Sequence, residues 1–93
     1  MILGRVIGTV VSTRKDERLT GFKLLVVEPI QPGEKTESGE FVAVDTVGAG
    51  VGEIILAVTG SPASRTMTDV DGPVPVDAAI VGIVDTVELA GSR

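Results

Sequence analysis

The sequence predicts an all-β fold, a small barrel or sandwich, and three observations indicate it. β-branched residues dominate the apolar content, with 16 Val, 7 Ile and 9 Thr among 93 residues, and such side chains favour strands. Several short apolar segments alternate with a period of two. Twelve Gly and five Pro separate these segments, as turns separate strands. The length predicts one domain, residues 1–93.

Five segments have the pattern of strands. In the first, Gly4 and Gly8 are predicted on one face, where they would allow sharp coiling or close backbone contact. Pro29 is expected to end the second strand, because proline donates no hydrogen bond to a ladder. Ser61 and Pro62 are suited to an N-cap and a first helical position, which predicts one short helix. The strands are predicted at residues 2–13, 22–27, 41–47, 54–59 and 78–87, and an exposed loop at residues 31–40.

The second, fourth and fifth predicted strands are apolar on both faces. A half-solvated antiparallel sheet would have one polar face. A chain this short often needs disulfides, a metal or oligomerisation to be stable, and this one has no Cys and no His. We therefore expect the second apolar face to contact another subunit. The alternative is a sandwich core that the pattern assigns in the wrong register.

The composition opposes several classes of partner. The net charge is −5 and the only aromatic residues are Phe22 and Phe41, whereas nucleic-acid binders usually have a basic patch and aromatic stacking platforms. No apolar segment approaches the roughly 20 residues of a membrane helix. The N-terminal segment contains Arg5 and is predicted to be a strand, not a signal peptide. We expect a cytoplasmic protein that binds neither nucleic acid nor membrane.

The sequence offers few groups for catalysis, which needs a nucleophile, a tuned acid or base, or a metal. Asp69 and Asp71 could together chelate Ca²⁺, but a solvated acidic loop is the simpler interpretation. Asp45, Asp77 and Asp85 lie in or beside apolar strands, where a carboxylate usually accepts backbone hydrogen bonds or pairs with Arg. We therefore predict no catalytic residue, no cofactor, no metal site and no enzymatic activity.

A glycine-rich loop between the third and fourth predicted strands is the main candidate for a functional site. A dinucleotide-binding loop would lead into the helix of a βαβ unit, whereas this loop leads into a strand. Three glycines in five residues indicate instead that backbones pack closely, as around a narrow symmetry axis. The loop consists of Gly48, Ala49, Gly50, Val51, Gly52 and Glu53.

Five stretches, distributed nearly from end to end of the chain, match the pattern of one known family. They are LGRVIGTVVST at 3–13, LxGxKLLxVxP at 19–29, VAVDxVGAGxGE at 42–53, GSxAxR at 60–65 and PVDAAIVGIVD at 75–85. The third and fifth are specific when they occur together. In these stretches the chain resembles the EutN/CcmL family, the vertex proteins of bacterial microcompartment shells.

The resemblance implies a five-stranded barrel of oligonucleotide-binding topology, assembled as a cyclic homopentamer. Such a pentamer would close the vertices of an icosahedral shell in the cytoplasm, beside hexameric or pseudohexameric shell proteins. The loop at 48–53 would then lie at the five-fold axis and line any narrow opening there. Pro62 and the charged loop at 31–40 depart from the family pattern, so the local geometry at both stays open.

Two other functions compete with this structural role. One is a free-standing barrel that binds an oligonucleotide or an oligosaccharide, as barrels of this topology often do. The other is a small enzyme. The acidic charge and the lack of aromatic residues oppose the first, and the missing catalytic groups oppose the second.

A ring would also bring copies of Glu53 close together, and their like charges would need compensation. We predict that Glu53 accepts backbone N–H bonds from its own loop or pairs with a basic side chain across the interface, for which Arg5 is the candidate. The charged segments at 14–18 and 31–40 are predicted at the polar rim that meets neighbouring shell proteins.

Overall fold

The computed structural model describes residues 1–12, 19, 21–31, 35–36, 39–60 and 77–90. Strands account for most of the described residues, as the content of Val, Ile and Thr predicts. In chain order they are β1 (Ile2–Val10), β2 (Lys23–Gln31), β3 (Lys35–Thr36), β4 (Phe41–Asp45), β5 (Ile54–Thr59) and β6 (Ala78–Ile83).

Five of the strands close into a barrel. The order around it is β1–β5–β6–β4–β2, and pairing between β2 and β1 completes the circle. All neighbours are antiparallel except β4 and β6, which are parallel. The predicted five-stranded barrel is confirmed, and its strand order is that of the oligonucleotide-binding topology.

Alternating small and branched side chains fill the barrel. Its fully buried residues come from every barrel strand and include Val6, Leu25, Val27, Ile55 and Ile80. A second, smaller cluster lies elsewhere, where Leu19, Phe22 and Leu24 pack on Val44. Alternate side chains of each strand point inward, so Leu25 and Val27 are buried while the equally apolar Leu24 and Val26 between them are not.

The barrel also leaves aliphatic side chains on its outer face. Leu24, Val26, Leu56 and Val81 are only half-buried, and Ile83 is exposed. These residues belong to the three strands predicted to be apolar on both faces. The sequence interpretation of these strands is therefore confirmed, and a large apolar outer surface needs cover.

Several predicted strand ends are wrong. The strand at 54–59 is correct at both ends, but β1, β4 and β6 stop earlier than predicted, at Val10, Asp45 and Ile83. The prediction that Pro29 ends the second strand is also wrong, because β2 continues to Gln31. Its pairing with β4 stops at Val27, so Pro29 has a partner strand on one side only, and a sheet edge tolerates proline.

The segment at 31–40 differs from the predicted exposed loop. Gln31 is the last residue of β2, and β3 pairs with it in a short hairpin, Ile30 with Thr36 and Gln31 with Lys35. The segment has no apolar alternation that would predict a strand.

A register shift in β1 corrects the prediction for its glycines. Val6 pairs with Val27 and Gly8 with Val26, so Ile7 is an extra, bulged residue. A Cβ on Gly4 would lie 2.5 Å from Cγ1 of Val27, whereas one on Gly8 would lie 3.8 Å from Cβ of Val26. Adjacent residues of β2 face opposite ways, so the two glycines do not share a face. Close backbone contact is confirmed at Gly4.

Some predictions fall outside the described residues. They are the short helix at Ser61 and Pro62, the acidic pair Asp69 and Asp71, and the charged turn at 14–18. Within the part of the chain that the structure describes, no helix has the length and apolar character needed to cross a membrane.

Candidate functional site

The glycine loop joins β4 to β5, at the end of the barrel where the parallel pairing of β4 with β6 stops. Gly48 and Gly52 have φ values of 81° and 94°, a conformation that favours glycine over other residues. Gly50 is not among the glycines with positive φ. A Cβ at this position would lie 3.5 Å from Oε1 of Glu53, which is ordinary contact. The backbone therefore requires glycine at 48 and 52, while Gly50 is not required by the conformation of the single subunit.

The carboxylate of Asp45 organises the first half of the loop. It is 9% exposed, and its Oδ1 accepts hydrogen bonds from the backbone N–H groups of Val47, Gly48 and Ala49, each at 3.1 Å. Successive N–H groups that converge on one oxygen form an anion-binding concavity. The predicted structural role of Asp45 agrees with these contacts, because the carboxylate is occupied by its own backbone.

Lys23 completes this arrangement from the neighbouring strand. It pairs with Asp45 in the register of β2 and β4, and its Nζ lies 3.6 Å from Oδ2 of Asp45. The same ammonium donates to the carbonyl oxygen of Ala49 at 2.6 Å, and Ala49 is fully buried. Lys23 was not among the residues that the sequence pattern indicated. Only the register, which places a cation directly opposite Asp45, could have identified it.

Glu53 organises the second half of the loop. Its Oε1 accepts a hydrogen bond from the N–H of Gly50 at 2.7 Å, and its own N–H donates to the carbonyl oxygen of Gly50 at 3.1 Å. The first of the two predicted forms of compensation is therefore present. Arg5 contacts the same loop, where it donates to the carbonyl oxygen of Gly52 at 3.3 Å. Its pairing with Glu53 of another subunit stays a prediction.

Backbone and hydroxyl contacts fix both ends of the loop. Thr46 donates through Oγ1 to the carbonyl oxygen of Ile80 at 2.6 Å. At the other end, the N–H of Gly52 donates to the carbonyl oxygen of Val6 at 2.8 Å, and the N–H of Val6 donates to the carbonyl oxygen of Glu53 at 3.0 Å. The loop is therefore attached to β1, β2 and β6. Its exposed apolar side chain at Val51 is presented on a fixed backbone.

The chemistry of the described residues is that of a scaffold. Groups of three or more His, Cys, Asp or Glu side chains that could hold a metal ion are absent among them. Asp77 and Asp85, the other carboxylates discussed above, are exposed. A cleft of about 280 Å³ begins beside the end of the glycine loop, at Ile54, and is lined mainly by aliphatic side chains, among them Leu3, Ile54, Val84 and Val87. These groups suit packing against another surface.

Comparisons with known proteins agree with this architecture. A family model described as ethanolamine utilisation protein EutN/carboxysome matches residues 1–85. A bacterial microcompartment shell vertex protein, GrpN of Rhodospirillum rubrum (strain F11), is 56% identical over 88 residues, 95% of this chain and 97% of the relative. The carboxysome shell vertex protein CcmL of Synechocystis sp. is 47% identical over 97% of this chain and 88% of the relative. The solved structure of the GrpN pentameric microcompartment shell protein superimposes with a TM-score of 0.85 at 50% identity and covers 97% of this chain and 100% of that one.

Proposed function

Because the chain belongs to the EutN/CcmL family of microcompartment shell vertex proteins, we infer that it is a structural shell subunit, not an enzyme. Five copies form a cyclic ring, and the ring closes a vertex of a microcompartment shell in the cytoplasm. The observation that supports this most directly is the close match, over nearly the whole of both chains, to a pentameric shell protein. The physical counterpart is the aliphatic outer face of the barrel, which a ring would cover.

The geometry of such a ring indicates which shell proteins it would contact. Flat hexagonal tiles close into a polyhedron only if five-fold units interrupt them, so the proposed partners are hexameric or pseudohexameric shell proteins. The ring would meet them through a polar rim, as non-obligate interfaces surround an apolar centre with polar groups.

The alternative, a barrel that binds an oligonucleotide or an oligosaccharide, has little support from the side chains. Phe41 packs against the barrel core and Phe22 against Val44. Both aromatic residues of the chain are therefore engaged in packing and do not form a stacking platform. Fold topology alone is weak evidence of function.

The role in shell closure can be tested by co-expression of hexameric shell proteins with and without this chain. We expect closed, regular polyhedra only when it is present, because the tiles alone lack five-fold units. Electron microscopy distinguishes these from elongated or open shells. Closed polyhedra in the absence of any vertex protein would contradict the proposal and favour the ligand-binding alternative.

The same proposal assigns the glycine loop, residues 48–53, to the five-fold axis. The support is that the loop is fixed at both ends, is rich in small residues and presents Val51 as an exposed apolar side chain, with the exposed Val47 just before it. Gly50, whose conformation does not require glycine in the single subunit, is explained if a neighbouring backbone lies close to it. Any opening on the axis would then be lined by these residues.

Replacement of Gly50 by Leu tests this placement. We expect a folded subunit with an unchanged circular dichroism spectrum. The leucine side chain overpacks a crowded axis, so subunits should associate about tenfold or more weakly. If the ring still forms, its opening should be occluded. Native mass spectrometry measures the assembly. The matched control is Gly50→Ala, whose single methyl group should weaken assembly much less than the leucine side chain. Normal assembly of Gly50→Leu, with the loop on the outer rim of the ring, would contradict the assignment.

A further inference from the structure

The glycine loop is held by charged side chains of both signs. Two carboxylates, Asp45 and Glu53, accept hydrogen bonds from its backbone N–H groups. Two cations, Lys23 and Arg5, donate hydrogen bonds to its carbonyl oxygens. Each half of the loop therefore has one bound anion and one bound cation, although the chain as a whole carries a net charge of −5.

The first half of the loop is held by Asp45 and Lys23. The side chain of Asp45 is 4% exposed, and Nζ of Lys23 lies 3.6 Å from its Oδ2. A carboxylate at this depth needs hydrogen bonds or a counter-charge, and Asp45 has both. The same ammonium bonds to the carbonyl oxygen of Ala49, so the two charges of this half cancel beside the loop.

The second half of the loop is held by Glu53 and Arg5. Oε1 of Glu53 accepts the N–H of Gly50 at 2.7 Å. Nη1 of Arg5 donates to the carbonyl oxygen of Gly52 at 3.3 Å, and Gly52 directly precedes Glu53 in the chain. The guanidinium therefore binds the same stretch of backbone that Glu53 closes, and the charges of this half also sum to zero.

One further carboxylate, Glu28, lies beside Arg5 in the sheet. It is the partner of Arg5 in the pairing of β1 with β2, whereas the loop continues into β5 on the other side of β1. Neighbouring strands are about 4.8 Å apart, so β2 lies up to about 10 Å from β5. Charges separated by such a distance are substantially screened at about 0.1 M salt. Glu28 therefore belongs to the barrel wall and not to the loop.

A ring multiplies any charge that the loop carries. Cyclic symmetry repeats each group at one radius, and that radius is smallest for groups near the axis. Coulomb repulsion increases as the distance between charges falls. One uncompensated charge in each loop would therefore oppose closure of the ring more strongly than the same charge on the outer wall.

We propose that Arg5 and Lys23 are positioning residues that keep the glycine loop electrically neutral, so that five loops can meet around one axis. Each cation holds one loop carbonyl and balances the carboxylate of the same half. The inference rests on the proposed function, because it uses the axial position of the loop. It goes further by assigning to two barrel cations the charge balance on which closure of the ring depends.

Glu53→Gln tests the charge separately from the hydrogen bond, because the glutamine amide retains an acceptor oxygen for the N–H of Gly50. The variant leaves a net positive charge in the second half of each loop. We expect association about tenfold weaker than wild type at about 10 mM NaCl and within about threefold of wild type at about 1 M NaCl, because the Debye length falls from about 30 Å to about 3 Å. Sedimentation equilibrium measures association at both salt concentrations.

Glu28→Gln is the matched control. It removes the same negative charge from the chain and lies beside the same Arg5, but outside the loop. It should associate as tightly as wild type, or more tightly, because it reduces the net charge of −5. If net charge alone governed assembly, E28Q and E53Q would behave alike.

Paired variants test the two cations. Arg5→Met should also weaken association at low salt, and R5M/E53Q should recover most of the loss of E53Q, because the second half is then neutral again. K23Q and K23Q/D45N make the same comparison in the first half. Circular dichroism establishes that each variant is folded.

The outcomes separate the charge balance from the ring. A wild-type protein that is monomeric by native mass spectrometry would overturn the ring itself. A wild-type pentamer in which E53Q associates as tightly as E28Q, or equally weakly at both salt concentrations, would leave the ring standing and overturn the charge balance. Tighter association of E53Q than of wild type at low salt would also overturn it, because Glu53 would then be an uncompensated charge.

Discussion

Replacement of Asp45 by Ala should lower the free energy of unfolding by about 3 kcal/mol and should prevent ring assembly. One oxygen of this carboxylate accepts three backbone N–H bonds, from Val47, Gly48 and Ala49. Ala49 is fully buried, so its N–H would lose its partner without access to water. The other two N–H groups are more accessible and can be partly hydrated, which keeps the expected loss below the sum of three buried bonds.

Loss of the ion pair with Lys23 accounts for a smaller part of the expected destabilisation. Its side chain is 47% exposed, so water can solvate the ammonium when its partner is removed, and solvent screening limits what the ion pair adds. Its bond to the carbonyl oxygen of Ala49 would remain possible. The larger consequence of Asp45→Ala is therefore a released loop, and a released loop would not present a fixed surface at the proposed axis.

The control is Asp45→Asn, which retains an acceptor oxygen for the three N–H groups and replaces Oδ2, the oxygen that faces Lys23, with an uncharged amide NH2. We expect a loss of about 1 kcal/mol and continued assembly. Urea unfolding at one fixed subunit concentration measures the stability of both variants, and native mass spectrometry measures the rings. Equal losses for Ala and Asn would mean that charge, and not the set of accepted hydrogen bonds, is what stabilises the loop.

Local sequence predicts those parts of the fold that depend on local chemistry. The strand at 54–59 is correct at both ends because a glycine loop precedes it and Gly60 follows it. The ends of β1, β4 and β6 are set by where partner strands stop, which alternation within a single segment does not reveal. The same reason explains Pro29, which is accommodated because β4 does not extend beside it.

The candidate site divides in the same way. The contact between Glu53 and Gly50 spans three residues and follows from the predicted need to compensate a carboxylate within its own loop. Lys23 is 22 positions from Asp45 in the chain, and only the pairing of β2 with β4 brings it to the loop. The position of the loop in a ring depends on the geometry of a second subunit, so it follows from family resemblance and not from alternation.

Gly4 shows how closely two strands of the barrel approach each other, and its substitution should have the other large effect. A Cβ at this position would lie 2.5 Å from Cγ1 of Val27 and 2.9 Å from the carbonyl oxygen of Glu28. The second atom belongs to the backbone and cannot rotate away, so Gly4→Ala must separate β1 from β2. We expect a loss of about 2–3 kcal/mol in the free energy of unfolding, measured by urea denaturation, and a larger loss for Gly4→Val.

Gly8→Ala in the same strand is the matched control. Its Cβ would lie 3.8 Å from Cβ and Cγ2 of Val26, which is ordinary contact, and Gly8 is not among the glycines with positive φ. Alanine restricts the unfolded chain more than glycine does, so the variant should be neutral or more stable by up to about 1 kcal/mol. Comparison of the two variants at equal subunit concentration removes the contribution of assembly to the measured stability. If Gly4→Ala were as stable as Gly8→Ala, β1 and β2 would not be packed as closely as the structure has them, and the glycine at position 4 would need another explanation.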